Sequence, residues 1–129
     1  MRQSLHAVTL VVPDYDTAIT FYTKTLSFIV LQDIDLGAGK RWVRIAPPGS
    51  KQGSLLLARA DGPDQSEAIG NQTGGRVGFF LETDDFDRDH AKMTTAGVHF
   101  EESPRHEPYG QVAVWRDPFG NRWDLIQFT

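Results

Sequence analysis

Cysteine is absent from this chain of 129 residues. That absence excludes disulfides, thiolate metal sites and cysteine nucleophiles together, while leaving the compartment open. Long hydrophobic runs are missing too. None approaches the roughly 18 apolar residues that a membrane span requires, and Leu10-Val11-Val12 ends at once in Pro13 and Asp14. With no cleavable secretory pattern at the N-terminus, the expectation is a cytoplasmic protein with no membrane partner. Lys and Arg do not cluster, and the formal net charge is -4. Nucleic acid is therefore not expected as a partner, because its binders carry a basic footprint. Also lacking are a Gly-x-Ser-x-Gly elbow, a phosphate loop and a His-Glu-x-x-His motif; the glycines from Gly70 to Gly75 precede a strand-like run, where no helix N-terminus would meet a phosphate.

What is present is balanced: hydrophobic residues make up 40% and charged residues 23%, values that exclude disordered and fibrous classes. The length predicts one domain, residues 1–129, which on folding buries roughly two thirds of its extended surface. An internal repeat organises it. Shifting the sequence by 71 residues lays Asp14-Tyr15-Asp16 on Asp85-Phe86-Asp87, Pro47-Pro48-Gly49 on Pro118-Phe119-Gly120, and the run Ala7 to Val12 on Gly78 to Thr83. Two marks in one register argue for duplication.

The first unit, residues 1–60, opens with a β-branched strand through Val8, Leu10 and Val12, read as buried on both faces. Asp14 suits a helix N-cap, and Tyr15, Ala18, Ile19, Tyr22 and Leu26 form an apolar helical stripe. Strands follow at Ile29 to Leu31, Arg41 to Ala46 and Ser54 to Ala58. Residues 61–75 read as a linker with a helical turn near Ser66 to Ile69. The second unit, residues 76–129, repeats the order: a strand at Val77 to Thr83, Asp85 as cap, a helix through Met93 stopped by Gly97, then strands at Val98 to Glu101, Gln111 to Arg116 and Trp123 to Phe128. One helix followed by three strands, twice, predicts an α+β fold of two βαβββ units with curved mixed sheets around a pocket, and not a doubly wound one.

With these units laid out, the chain resembles the vicinal oxygen chelate superfamily of glyoxalase I, bleomycin-resistance proteins and extradiol dioxygenases. The carriers are Thr9-Leu10-Val11-Val12-Pro13-Asp14, Phe21-Tyr22, Leu26-Ser27-Phe28, Leu81-Glu82-Thr83-Asp84-Asp85 and Asp117-Pro118-Phe119-Gly120-Asn121 running into Trp123-Asp124-Leu125. The resemblance implies paired units around a cavity, a homodimer and, commonly, a divalent metal held by His or Glu on the first and last strands of each unit. Those positions fall here on Ala7, Gly78, Asp124 and Leu57, with Leu55 as the alternative to Leu57. Only Asp124 has a donor. A catalytic cation usually keeps three protein ligands, so no metal and no other cofactor is expected. His6 lies one residue from the first position and would reach it only through a bulge; His90 reads as a packing residue.

Alternation along the strands assigns the pocket wall. Val8, Leu10, Val43, Ile45, Val77, Phe79, Leu81, Val112, Val114 and Leu125 are expected to face the helices. Thr9, Val11, Trp42, Arg44, Leu55, Leu57, Phe80, Glu82, Gln111, Ala113, Trp115, Arg122 and Asp124 are expected on the concave side. Of these Thr9, Trp42, Arg44, Phe80, Glu82, Gln111, Trp115, Arg122 and Asp124, with His106 and Tyr109 at the mouth, are the candidate ligand-binding residues. Trp42 and Trp115 would serve as platforms. Arg44 would either grip a ligand carboxylate or phosphate or form an internal salt bridge with Glu82 or Asp124, and Glu82 with Asp124 is a candidate acid/base pair. The leading expectation is a metal-independent small-molecule binding protein. A metal-dependent lyase, isomerase or dioxygenase using Asp124 and His6, and a purely structural subunit with a filled cavity, are the competing readings.

Overall fold

The computed structural model describes all residues, Met1–Thr129, and divides into two compact units, Met1–Ile69 and Gly70–Thr129. The division falls inside the segment read as linker. That segment contains a short helix, α2 (Pro63–Ala68), entered through a proline in its first turn, where the missing N–H costs nothing.

Unit 1 runs β1 (Val8–Val12), α1 (Tyr15–Thr20), β2 (Ile29–Gly37), β3 (Lys40–Ala46) and β4 (Leu55–Arg59). Its sheet has the order β1-β4-β3-β2, with β1 parallel to β4 and the other pairs antiparallel. Asp14 caps α1 by accepting the Thr17 N–H at 3.1 Å, as the sequence predicts. The helix then loosens into a π-helical turn, Phe21–Thr25, capped by Leu26, and a left-handed Ser27 at φ 64° ends it. Tyr22 and Phe28 meet across that end with ring centroids 5.3 Å apart.

Unit 2 runs β5 (Phe79–Glu82), α3 (Phe86–Thr95), β6 (His99–Phe100), β7 (Arg105–Glu107), β8 (Gly110–Arg116) and β9 (Arg122–Phe128). The order is β5-β9-β8-β6, with β7 pairing the other end of β8. Asp85 caps α3 through the Arg88 N–H at 3.1 Å. Gly97 stops it at φ 91°, a conformation that needs a residue without Cβ. The four-strand plan is thus extended by one short strand, β7, in a segment whose Arg-His-Glu sequence carries no apolar alternation.

Each unit buries an apolar layer between helix and sheet. In unit 1 it comprises Leu10, Val12, Ala18, Tyr22, Val43, Ile45 and Leu57, each at most 1% exposed. Each larger side chain there contributes about 1.5 to 3 kcal/mol by burial. In unit 2 the layer is aromatic: Phe79 stacks on Trp123 at 5.0 Å, Trp123 on Trp115 at 5.0 Å, and His90 lies between Phe86 and Phe100 at 5.5 and 4.2 Å.

Three expectations about faces are corrected. Val8 is 48% exposed and Thr9 is exposed, so β1 is buried on one face and not two. Leu55 and Leu57 face the helix, because β4 pairs Leu57 with Leu10 on one side and Val43 on the other, and paired residues share a face. Leu56 and Ala58 take the concave positions. In β8 the parity is also off by one. Trp115 pairs with Trp123, Ala113 with Leu125 and Gln111 with Gln127, and the Gln127 side chain accepts the first N–H of α3, that of Phe86, at 2.8 Å. Gln111, Ala113 and Trp115 are therefore on the helix side, while Val112 and Val114 are concave. The physical reason is that Val112 to Trp115 are all buried, so both faces of β8 are apolar and alternation carries no phase.

Trp115 is fully buried in the stacked layer, so Trp115→Ala should cost about 3 to 5 kcal/mol in denaturant unfolding, the range for emptying a large aromatic site. A cost below about 1 kcal/mol, the level of most surface substitutions, would contradict this placement.

Candidate functional site

On the concave face of unit 1, the centre is Gln32. Its side-chain oxygen accepts the indole N–H of Trp42 at 3.0 Å and the Nε–H of Arg44 at 2.6 Å. Trp42 and Arg44 occupy alternate positions on β3, opposite Val43 and Ile45, and the β2–β3 register places Gln32 beside Arg44 and Ile34 beside Trp42. Arg44 donates a second bond, from Nη1 to Ser54 Oγ at 3.0 Å, and that hydroxyl in turn donates to the His6 carbonyl at 2.8 Å. Both partners of Arg44 are neutral, and Arg44 forms no ion pair. Thr9 lies on the same face, level with Leu56, and is exposed.

On the concave face of unit 2, Phe80 pairs with Asp124 and Val114 with Asp124 on its other side. Phe80 is 64% exposed. One Asp124 oxygen, Oδ1, is buried without a hydrogen bond. Burial raises the pKa of this carboxyl above the ordinary aspartate value; Arg105 and Arg122 pull it down, and Glu102 pushes it up. Glu82 shares the face but is exposed at the strand end and is not among the charges that act on Asp124. The acid/base pair is therefore not assembled in unit 2.

The remaining predicted residues are placed as follows. Arg122 is committed to structure, donating to Glu101 at 2.9 Å and to the Gly75 carbonyl at 2.9 Å. Gln111 and Trp115 lie on the helix side. His106 stands on β7 opposite Gln111, exposed, and Tyr109 is a 48% exposed turn residue. His90 packs between aromatic rings, as expected of it. Sequence reasoning missed Gln32 and Ser54. The polar Gln32 directly after the apolar Ile29-Val30-Leu31 was the signal at hand.

The positions at which the resemblance puts metal ligands can now be read from the register. Ala7 and Gly78 immediately precede β1 and β5, and the last-strand position in unit 1 is Leu56, not Leu57, since Thr9 pairs with Leu56 as Phe80 does with Asp124. Ala7, Leu56 and Gly78 carry no donor, and His6 is exposed before β1. These residues do not fit a divalent cation.

Comparison with known proteins places these features in context. A model of the Glyoxalase/Bleomycin resistance protein/Dioxygenase superfamily matches residues 4–125. An uncharacterised protein of Shewanella frigidimarina (strain NCIMB 400) is 51% identical over 130 residues, covering 100% of this chain and 96% of the relative. Among solved structures, UcmS2 superposes with a TM-score of 0.83 at 29% identity, covering 98% of each chain. TnmS3, an antibiotic binding protein from Streptomyces sp. CB03234, does so with a TM-score of 0.77 at 30% identity, over 99% of this chain and 98% of its own.

Because its folded-state value is raised, the Asp124 carboxyl favours folding below the ordinary aspartate range and loses that contribution as the pH rises through the raised value. Asp124→Asn, which keeps the shape of the side chain and removes the charge that burial disfavours, should therefore raise stability at neutral pH. The gain over wild type should close in acid. Thermal unfolding between acid and neutral pH checks this, and an Asn variant less stable at neutral pH would contradict it.

Proposed function

Because this chain belongs to the Glyoxalase/Bleomycin resistance protein/Dioxygenase superfamily, we propose that it is a small-molecule binding protein that works without a divalent metal. The observation that carries this reading is the donor chemistry: Ala7, Leu56 and Gly78 bring nothing to a cation, and Asp124 alone would leave it mostly hydrated. In place of a ligand set, the concave face of unit 1 presents an indole and a guanidinium held side by side by one glutamine. Burial against an aromatic wall supplies affinity, and a few fixed polar groups supply orientation. The likeness to TnmS3, described as an antibiotic binding protein, supports a sequestering, resistance-type role for a ligand with a planar body. Thr9 extends the polar part of that face.

A cytoplasmic homodimer completes the proposal. β2 is an edge strand of nine residues whose Ile29, Leu31, Ile34 and Leu36 are each 45% exposed or more. Edges of this kind ordinarily need cover. The competing lyase, isomerase or dioxygenase reading would need a metal built on Asp124 and His6, and the hydrogen bond from Ser54 engages the His6 carbonyl, not its ring.

Three measurements test the proposal. In a thermal-shift panel of planar aromatic compounds, a binder should raise Tm equally with and without EDTA, because a ligand of the folded state stabilises it by mass action. Near-stoichiometric metal after mild purification, lost on Asp124→Ala and accompanied by turnover, would replace this reading with the enzyme. Sedimentation equilibrium at micromolar concentration should give a dimer; monomer alone would remove that part.

A further inference from the structure

Arg44 opens into a cleft of about 1380 Å³ in unit 1, formed between the N-terminal residues 1–6 and residues 50–53. Its lining is unusual for a chain of net charge -4. Arg2, Arg44 and Lys51 contribute three fixed positive charges, His6 and Gln52 add polar groups, and no aspartate or glutamate is among the lining residues. Elsewhere the arginines that form ion pairs, Arg41, Arg88, Arg105, Arg116 and Arg122, have carboxylates within 3.0 Å. Arg44 is half-buried, lies inside the cleft and has none.

The geometry prepares Arg44 to receive an anion. Its guanidinium has five N–H donors. One on Nε goes to Gln32 and one on Nη1 goes to Ser54, which fixes the plane of the group. Three donors are left, with at least one on each terminal nitrogen, the arrangement that a carboxylate or phosphoryl oxygen pair meets two-fold. Because neutral groups do the fixing, the charge itself is uncompensated. A half-buried cation without a counterion is costly, and an anionic ligand removes that cost. Leu31, also in the lining, and Trp42, sharing Gln32 with Arg44, give the apolar body of such a ligand a surface beside the charge.

We propose that this cleft binds the oxyanion of a planar aromatic acid, with Arg44 as its principal contact and Lys51 and Arg2 supplying long-range attraction. The proposal rests on the small-molecule reading above and narrows its ligand to an anionic class. Sequence alternation pointed to Arg44, whereas the acid-free cationic lining, the neutral Gln32–Ser54 clamp and the parts played by Lys51 and Arg2 come from the structure alone.

The test uses a matched pair of probes, 2-naphthoate and 2-naphthamide, titrated calorimetrically into the wild-type protein. The naphthoate should bind at least about tenfold more tightly, and its advantage should shrink as salt screens the cleft. Arg44→Gln should erase the difference between the probes, Arg44→Lys should restore part of it, and Lys51→Gln should weaken the naphthoate alone. Since the probe comparison is made on the unaltered protein, it stands even if an Arg44 variant folds poorly. Equal binding of acid and amide would overturn the anion site while leaving the small-molecule reading intact. Binding of neither probe up to about 10 mM, weaker than any specific site, would overturn the anion site too, and the neutral panel would then decide the wider reading separately. An unchanged preference in a folded Arg44→Gln protein would also overturn it.

Discussion

In each unit the first strand pairs in parallel with the last, β1 with β4 and β5 with β9, and the chemistry of both concave faces depends on that register. Side chains alternate with a period of two, so a slip of one residue would exchange every inward group for an outward one. The pairing of Leu10 with Leu57 commits both to the helix layer and leaves Leu56 on the other face. The pairing of Phe80 with Asp124 commits a carboxyl to a face where one of its oxygens is buried. Apolar burial against α1 and α3 holds these registers, since every slip would expose the stacked Trp115 and Trp123 or the Val43 and Ile45 pair.

How much of this was legible in the sequence follows from the same physics. Elements with one wet face declared themselves: β3 alternates between Val43, Ile45 and Trp42, Arg44, and its parity is as expected. The caps Asp14 and Asp85 and the stop at Gly97 were also readable, because each solves a local backbone problem with its own side chain or lack of one. β8 was not readable in phase, for its four central residues are buried on both faces. β4 was misplaced because the loop after Pro47-Pro48-Gly49 is longer than its counterpart and only tertiary pairing fixes where alternation restarts. β7 was invisible, being polar throughout and dependent on β8 for its hydrogen bonds. At the site, Trp42 and Arg44 were found by parity, whereas the clamp around Arg44 joins residues 6, 32, 44 and 54, a closure no local pattern announces.

The two units share a plan and differ in what they offer. Unit 1 carries a cation held by neutral hydrogen bonds in a cleft without acids. Unit 2 carries the partly buried carboxyl of Asp124, while Arg105, Arg116 and Arg122 pair with Glu101, Glu102 and Glu107. Glu101 illustrates that pairing: burial opposes its ionisation, but the bonds from Arg122 and Arg116 win and hold it below the ordinary glutamate value.

The most direct test is a nuclear magnetic resonance titration of the EDTA-treated protein with 2-naphthoate, following the indole N–H signals of its three tryptophans. The account predicts that the Trp42 signal and the Arg44 Nε–H signal move together and saturate, while those of the buried Trp115 and Trp123 stay in place. Movement confined to Trp115 and Trp123, or any response that requires added divalent metal, would contradict it.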